Sequence, residues 1–341
     1  MAMKDSSSKK LQMADIARLA GVSVSTVSRA LNGNARINPQ TVQRVQELAR
    51  SLNYSINVGA KNLRMRENRT IALIIPIDRA SNQSISDPFF IAMLGSLADA
   101  LTEANYEILL SRLDTDQLDR IGELYDNGRA CGIVVIGQWA CHEQLNSLAS
   151  RGVPLVVWGT QLARQMYCTV GSDNISGARM ATALLLAKGC RKIAFLGDAS
   201  LPEAAHRLQG FEQAHREASL TCDASLVLPV SFSGQKAHAT IQAFVTRQPH
   251  IDGIVAASDL IAMAAVSALQ THGLRVPQDV RVVGYDDVDA SSHFNPPIST
   301  VHQSIEDAGP VMVQVLQQLM LGNVQNSVFM PTRLVQRQST D

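Results

Sequence analysis

The strongest constraint on the fold is an alternation of short apolar runs with amphipathic stretches, which begins near residue 70. Runs such as residues 71–75 have the composition of buried strands, and stretches such as residues 88–104 have helical periodicity. Strands that alternate with helices favour a parallel sheet covered by helices on both faces. The alternation occurs in two successive series. We therefore predict an α/β body of two lobes, each a doubly wound parallel sheet, with a cleft between them.

The two series predict a definite order of elements. In the first, strands lie at residues 71–75, 107–110, 133–136 and 155–157, and helices at 88–104, 116–127 and 142–149. In the second, helices lie at residues 175–187, 203–218, 236–246 and 260–271, and strands at 193–196, 226–230, 254–257 and 280–283. A further helix is predicted at residues 305–321.

The composition argues against several classes of protein. No run approaches the roughly 18 apolar residues that span a bilayer, and no apolar stretch follows the polar first ten residues, so we expect no membrane partner and no secretory signal. Five cysteines without a Cys-x-x-Cys spacing favour neither a disulfide framework nor a zinc site, and no His-Glu-x-x-His spacing is present. We expect a cytoplasmic protein without a metal or cofactor.

Charge is divided unevenly along the chain, although the formal net charge is zero. Residues 1–69 contain twelve Lys and Arg residues against four Asp and Glu, a surplus of eight positive charges, and the remainder has a surplus of eight negative charges. A basic segment of this size suits a polyanion, because it neutralises phosphates and releases their counterions. A charged face that only contacts solvent is the alternative interpretation.

The basic segment has the pattern of three short helices. Residues 13–20 and 24–31 predict two amphipathic helices, separated by Gly21 and by Ser23, which is a suitable N-cap, and Asn38-Pro39 begins a third. Two helices joined by a turn of about four residues form a helix-turn-helix. The second helix leaves short polar side chains and one arginine facing outward, as a helix in a major groove needs to reach base edges and phosphates. We expect double-stranded DNA as the partner.

The string Asp15-Ile-Ala-x-x-Ala-Gly-Val-Ser-x-x-Thr-Val-Ser-Arg29, followed by Leu31-Asn32 and Leu52-Asn-Tyr54, is more specific than periodicity. On these residues the chain resembles the lactose/galactose repressor (LacI/GalR) family, and the resemblance extends through nearly all of it. It implies an all-α helix-turn-helix domain at residues 1–54, a hinge helix or linker at 55–69, and an effector-binding and dimerisation domain at 70–341 with a fold like that of periplasmic binding proteins.

The resemblance also implies which residues bind DNA. Residues 23–32 contain the recognition helix, and Leu63 has the position of a leucine that wedges into the minor groove and kinks the duplex. Ile56 replaces the usual proline, and Gly59 costs about 0.5 to 1 kcal/mol relative to alanine, so we expect a hinge helix that is weakly populated without DNA. The DNA-binding residues that we expect are Met13, Ser23, Val24, Ser25, Thr26, Ser28, Arg29, Asn32, Asn38, Asn57, Ala60, Lys61 and Leu63.

Candidates for the cleft follow the apolar runs, because ligands of open parallel sheets bind at the carboxyl ends of the strands. These residues include aromatic rings, carboxylates and an amide, with Arg207 nearby. Rings stack on the C–H faces of sugars and charged groups bind hydroxyls in a dry cleft, so a sugar suits the mixture better than a nucleotide. The effector-binding residues that we expect are Asp87, Phe89, Gln138, Trp158, Arg207, Phe232, Ser258 and Asp286.

The resemblance adds roles to some of them. Arg207 matches an arginine that grips the effector, Asp286 an aspartate that accepts sugar hydroxyls, and Phe232 a stacking aromatic residue. Ser258 and Gly159 occupy positions where the family's lactose repressor has Asn and Asp, and we expect these substitutions to enlarge the pocket. The expected effector is a sugar or short oligosaccharide with a glucose-like ring.

The resemblance further implies three crossings between the lobes, near Val170, near Pro296-Pro297 and after Leu321. The N-subdomain is expected at about residues 70–169 and 298–323, and the C-subdomain at about 170–297 and 324–341. Two bodies pair into a C2 homodimer, which places two recognition helices on the half-sites of a near-palindromic operator. The chain ends without a leucine heptad tail, so we expect a dimer rather than a tetramer.

We predict a nucleoid-associated repressor of carbohydrate-utilisation genes, and the sequence leaves open whether the effector induces or co-represses. One alternative is a non-sugar effector, such as a nucleobase or nucleoside, as co-repressor. An enzyme on the same fold needs a motif such as Gly-x-Gly-x-x-Gly or Gly-x-Ser-x-Gly, which is absent, and the adjacent Asp286 and Asp287 should point in different directions. An exported sugar-binding protein shares the body but not the first 69 residues.

Overall fold

The computed structural model describes residues 13–31, 37–52, 68–78, 83–232, 234–248 and 250–341. The chain forms two compact units that divide between residues 67 and 68. The second unit begins earlier than predicted because Asn68 is tied to the body: its Nδ2 donates to the Gly128 carbonyl at 2.7 Å, and its Oδ1 accepts the Thr70 N–H at 2.9 Å. Most of the expected hinge, residues 55–67, lies outside the described residues.

The first unit contains the three predicted helices: α1 (Met13–Ala20), α2 (Val24–Leu31) and α3 (Pro39–Ser51). Gly21 follows α1 with a φ of 61°, a left-handed conformation that glycine adopts without strain. The Asn38 side chain caps α3 by accepting a backbone N–H two residues later at 2.9 Å. Ile16, Val27 and Val45, one from each helix, are fully buried and form a small core of their own.

The first lobe of the second unit is built on one parallel sheet. Its strands are β1 (Thr70–Ile77), β2 (Glu107–Asp114), β3 (Gly132–Ile136), β4 (Leu155–Trp158), β5 (Cys168–Ser172) and β11 (Val328–Met330), in the order β11-β5-β4-β3-β1-β2. Its helices are α4 (Pro88–Glu103), α5 (Ile121–Asp126), α6 (His142–Ser150) and α12 (Ile305–Met320). Ile71, Leu73 and Ile75 face α4 and α12, whereas Ala72 and Ile74 face α5 and α6. The sheet therefore has a core on each face.

The second lobe repeats this architecture. Its strands are β6 (Ile193–Leu196), β7 (Val227–Leu228), β8 (Gly253–Ala256), β9 (Arg281–Asp286), β10 (Ser299–Gln303) and β12 (Thr332–Val335), in the order β12-β10-β9-β8-β6-β7. Its helices are α7 (Asn174–Ala187), α8 (Pro202–Glu217), α9 (Gly234–Arg247), α10 (Asp259–Thr271) and α11 (Asp289–Ser292). The strands pair in parallel except β12, which is antiparallel to β10. The predicted fold class, a helical unit plus two doubly wound sheets, is confirmed.

Several elements differ from the sequence-based prediction. The predicted helix at residues 116–127 is a 3-10 turn, Thr115–Arg120, followed by the short α5. The predicted strand at residues 226–230 is reduced to β7. The prediction omits β5 and β10 because their serine, threonine and glycine residues conceal the apolar signal of a strand, and it also omits the short strands β11 and β12.

The chain crosses between the lobes after β5, after β10, and between β11 and β12. The first crossing lies close to the predicted position near Val170. The second follows Gln303 and not Pro296-Pro297, because β10 still pairs with β9 in the second sheet. The third follows Met330 and not Leu321, because β11 first pairs with β5. The predicted subdomain boundaries at these last two crossings are wrong.

Candidate functional site

The predicted recognition helix α2 has a polar outer face. The Ser23 hydroxyl accepts the Thr26 N–H at 3.1 Å and so caps the helix, and it lies 2.8 Å from the hydroxyls of both Ser25 and Thr26. Val24 is 44% exposed, whereas Val27 on the opposite face is fully buried. Packing therefore leaves a small hydroxyl cluster and one apolar side chain in positions where a duplex groove can contact them.

The other predicted DNA-binding residues have varied surroundings. Ser28 is half-buried and Arg29 is exposed on α2, Met13 packs partly against the helical core, and Asn38 caps α3. The remaining predicted DNA-binding residues lie outside the described residues: Asn32, Asn57, Ala60, Lys61 and Leu63.

One cavity between the lobes brings together every predicted effector-binding residue. It has a volume of about 600 Å³ with its open mouth included, which is within the range of small-molecule sites. Its first-lobe wall includes Asp87, Phe89, Gln138 and Trp158, and its second-lobe wall includes Arg207, Phe232, Ser258 and Asp286. The residues that the strand-end rule selected thus line one cavity, and their binding of an effector stays a prediction.

Arg207 is the best-anchored polar residue of the cavity and is 6% exposed. Its Nε donates to Oδ1 of Asn174 at 2.8 Å, and its Nη1 donates to the Ala257 carbonyl. The guanidinium carbon lies 3.7 Å from the ring centroid of Tyr285, and Nη1 is 3.8 Å from Oδ1 of Asp286. These contacts hold the planar group in one orientation before any ligand arrives.

Asp286 and Asp87 are acidic groups on opposite walls. Asp286 is 7% exposed, accepts from Nε2 of Gln303 at 2.6 Å, and has a φ of 116° that is unusual for a side-chain-bearing residue. Burial raises the pKa of Asp286 well above its ordinary value, Arg207 opposes that rise, and the nearby carboxylates, including Asp87, add to it. Burial also raises the pKa of Asp87, whose Oδ1 accepts the Phe89 N–H at 3.0 Å. Both carboxyls are poorly solvated and suited to hydrogen bonds from a ligand.

Asp287 points away from the cavity, as expected for the residue next to Asp286. Its Oδ1 accepts from Nη2 of Arg337 at 2.5 Å, and its Oδ2 lies 2.9 Å from Nδ1 of His302. The two adjacent carboxyls therefore do not form a catalytic pair.

Aromatic rings form much of the first-lobe wall. The rings of Phe89 and Trp158 are 6.4 Å apart between centroids, and those of Phe89 and Phe90 are 5.5 Å apart. Trp139 also lines the cavity and has a φ of 46°, a left-handed conformation rare for a bulky side chain. The wall offers apolar faces of the kind on which sugar or nucleobase rings stack.

On this wall Gln138 has partners within the protein, and the expectation about Gly159 needs correction. The Gln138 amide is engaged within the first lobe, because its Nε2 donates to the Thr160 carbonyl at 2.8 Å and to the Tyr167 hydroxyl at 2.9 Å, and its Oε1 accepts the Thr160 N–H at 2.9 Å. Gly159 does not enlarge the pocket, because a Cβ there meets the Gln138 side chain at 2.5 Å. Gln138 fills the space over Gly159 and shapes the wall.

On the second-lobe wall, the Ser258 hydroxyl accepts the Ile261 N–H at 3.2 Å and caps α10.

The predicted effector-binding set omits six residues that line the cavity: Gln83, Phe90, Gly137, Trp139, Leu201 and Glu203. Glu203 is the most consequential, because it adds a third carboxyl. Burial raises its pKa, while backbone N–H groups, including that of Gln138, and the Arg207 guanidinium oppose that rise. The signal was available: Glu203 precedes Arg207 by four residues on one helix, a spacing that places side chains on the same face.

Some features are absent from the described part of the chain. Within it, no group of three His, Cys, Asp or Glu side chains is arranged to hold a metal ion. No described helix has both the length and the apolar character needed to cross a bilayer.

Family models match two parts of the chain. The model for bacterial regulatory proteins of the lacI family matches residues 12–57, and the periplasmic binding protein-like domain matches residues 182–340. The chain is 31% identical over 331 residues to the HTH-type transcriptional regulator CelR of Thermobifida fusca, covering 95% of this chain and 96% of that relative. It is 29% identical over 308 residues to the HTH-type transcriptional repressor PurR of Haemophilus influenzae (strain PittEE), covering 89% of each. These relatives are transcriptional regulators and not enzymes.

Solved structures agree with these matches. The CelR–cellobiose complex is similar with a TM-score of 0.72 at 30% identity, covering 96% of this chain and 99% of that chain. The lac repressor dimer bound to operator and the anti-inducer ONPF is similar with a TM-score of 0.83 at 23% identity, covering 97% of this chain and 99% of that chain, and it shows the shared fold.

Proposed function

The chain belongs to the LacI family of bacterial transcriptional regulators, and from that membership we propose that it represses carbohydrate-utilisation genes under the control of a sugar or short oligosaccharide. The observation that carries the proposal is the lining of the cavity. Phe89, Trp158 and Phe232 supply apolar faces, and the buried Arg207 and Asp286 supply hydrogen-bonding groups. Polyhydroxylated rings present both C–H faces and hydroxyls, so they match both parts of this lining.

The DNA-binding half of the proposal rests on the exposed face of α2. A C2 homodimer places two copies of α2 on the half-sites of a near-palindromic operator, roughly one helical turn of DNA apart. An effector that binds one arrangement of the lobes more tightly shifts the population of lobe arrangements and thereby changes operator affinity. The protein then acts in the cytoplasm, on nucleoid DNA.

A nucleobase or nucleoside co-repressor is the second candidate. Its support is the 29% identity to a repressor named PurR, together with the same aromatic wall, on which a purine can also stack.

Intrinsic fluorescence distinguishes the two candidates. Trp139 and Trp158 are the two tryptophans of the chain, and both line the cavity. Their fluorescence therefore reports ligand binding in the cavity. The protein is titrated with monosaccharides, with disaccharides including cellobiose, and with purine bases. The sugar proposal predicts a saturable change with at least one saccharide and none with purine bases. Binding of purine bases alone supports the second candidate and overturns the first.

Gel shifts with promoter fragments from the source genome test the DNA half. Operator affinity should change when the saccharide identified by fluorescence is added. Arg29→Ala should weaken operator binding by about fivefold or more, since a well-placed base contact of arginine contributes roughly 1–3 kcal/mol. The matched control is Arg18→Ala, because Arg18 is an exposed arginine on α1 beside Asp15. This variant should bind the operator nearly as tightly as the parent does. Equal losses in both variants contradict the assignment of α2 as the recognition helix.

A further inference from the structure

The described lining of the cavity carries more acidic than basic side chains. Asp87, Glu203 and Asp286 supply three carboxyls, whereas Arg207 supplies a single guanidinium. Asp286 is the carboxyl nearest to that guanidinium, at 3.8 Å. A ligand that brings a phosphate or carboxylate therefore adds a further acidic group to a poorly solvated space with one guanidinium, where repulsion from any ionised carboxyl is weakly screened.

Helix N-termini at the cavity are already occupied by the protein's own oxygen atoms. Such N-termini normally attract anions, because their free N–H groups and the helix dipole favour negative charge. At α4, Asp87 accepts the Phe89 N–H at 3.0 Å, and at α10, Ser258 accepts the Ile261 N–H at 3.2 Å. At each of these two positions a side chain of the protein therefore already takes one of the N–H groups that a ligand phosphate could use.

At the N-terminus of α8, the acidic side chain is that of Glu203. Leu201, at the N-cap position, makes no capping hydrogen bond with its side chain, and Glu203 lies in the first turn. The backbone N–H groups of Glu203 and of Gln138, on the opposite wall, lower the pKa of the Glu203 carboxyl against the larger effect of burial. A carboxylate of the protein thus occupies the place where an anionic ligand group would otherwise find donors.

We propose that Glu203 makes the cleft selective against anionic effectors, so that it admits uncharged saccharides and rejects sugar phosphates and uronic acids. This inference rests on the proposed sugar function for the identity of the ligand, although the charge of the cleft is a property of the protein alone. The predicted ligand class is consequently narrower than sugars in general.

The first experiment measures the charge of the cleft without any effector. Iodide, caesium and neutral acrylamide quench the fluorescence of Trp139 and Trp158, and the iodide-to-caesium ratio reports the local potential. Glu203→Gln removes one charge with little change in shape, and Glu217→Gln, on the same helix but paired with Arg179 at 3.4 Å, removes one charge elsewhere. The ratio should rise about twofold in Glu203→Gln, as one charge at several ångströms from the quencher predicts, and should stay unchanged in Glu217→Gln. Equal ratios in the two variants overturn the inference. Glu203→Ser serves as a second variant with the same expected direction if Glu203→Gln does not fold.

The second experiment measures selectivity. The parent, Glu203→Gln and Glu217→Gln are each titrated with glucose, glucose 6-phosphate and glucuronate. If another saccharide binds, its neutral, phosphorylated and uronic acid forms are used instead. The parent should bind the neutral member at least tenfold more tightly than either anion, and Glu203→Gln should narrow that ratio at least threefold while Glu217→Gln leaves it unchanged. Equal affinity of the parent for neutral and anionic members overturns the inference. If no saccharide binds but the quenching ratios follow the prediction, the sugar proposal is wrong, whereas the contribution of Glu203 to the charge of the cleft is confirmed.

Discussion

The hydroxyl of Thr160 lies 2.6 Å from Nδ1 of His206, which makes this pair a direct polar contact between the two lobes. Thr160 follows β4 in the first lobe, and His206 belongs to α8 in the second. Burial lowers the pKa of His206, with Asp173 opposing the shift, which favours the neutral ring, and Nδ1 and the Thr160 hydroxyl share one hydrogen bond. The contact joins the lobes beside the cavity.

Thr160→Val should weaken effector binding, because valine has nearly the same shape but cannot form this hydrogen bond. A hydrogen bond contributes about 1 kcal/mol, which corresponds to about a fivefold higher Kd if the effector binds the closed lobes. Tryptophan fluorescence titration measures the change. Thr246→Val is a matched control, since the Thr246 hydroxyl lies 3.0 Å from Nε2 of His272 within the second lobe. An unchanged Kd in Thr160→Val contradicts a role of the contact in closure.

Arg207→Ala should abolish the response to effector while operator binding persists. The guanidinium is buried and fixed by Asn174 and Ala257, so its loss removes a ligand partner and leaves Asp286 without its nearest positive charge. We expect effector affinity to fall by more than about tenfold, or roughly 1.4 kcal/mol. Fluorescence titration and gel shifts on the same preparation measure the two activities, with Arg179→Ala as the control. Lost operator binding with a retained effector response would reverse the assignment.

Gly159→Ala should destabilise the body although it adds a single methyl group. Its Cβ meets the Gln138 side chain at 2.5 Å, so Gln138 must move and give up hydrogen bonds to Thr160. Overpacking of this kind lowers the free energy of unfolding by about 1–3 kcal/mol, which urea titration measures. Gly95→Ala, where no atom lies within 4 Å of the added carbon, should be neutral or slightly stabilising. Equal urea midpoints for the parent and Gly159→Ala would show that the wall relaxes freely.

Asp259 should make stability fall as pH rises toward neutrality. Burial raises its pKa to about 7, which outweighs the hydrogen bonds from the Thr300 hydroxyl at 2.6 Å and the Val288 N–H at 3.0 Å. Between about pH 4 and pH 7 the folded protein keeps a proton that the unfolded chain releases, so the free energy of unfolding decreases across that interval. Asp259→Asn should flatten this dependence in urea titrations at several pH values. The control is Asp289→Asn, because the Asp289 side chain is 97% exposed, and it should keep the parent's dependence of unfolding free energy on pH. If Asp259→Asn also keeps that dependence, the pKa of Asp259 is not raised.

Much of the fold could be predicted because its signals are local. The helical periodicity of α4, α7, α8, α10 and α12, and the continuous apolar runs of β1, β3 and β6, are visible within single stretches of sequence. Strands β5 and β10 were not predictable in that way, since pairing with distant strands, rather than their own residues, specifies them. The second and third crossings, which the resemblance implied, lie later in the chain because β10 and β11 still pair with the preceding sheets.

The sequence by itself determined that there are two units, that the body is a pair of doubly wound sheets, and that Arg207, Asp286 and the aromatic residues share one cavity. Only the tertiary structure decided what several of these residues do. Gln138 is engaged by Thr160 and Tyr167, which are 22 and 29 residues away, and the space over Gly159 is filled. Glu203 enters the site because α8 of one lobe meets a loop of the other. The physical reason is that periodicity and strand ends are properties of neighbours in the chain, whereas hydrogen-bond partners and cavities depend on groups brought together from distant segments.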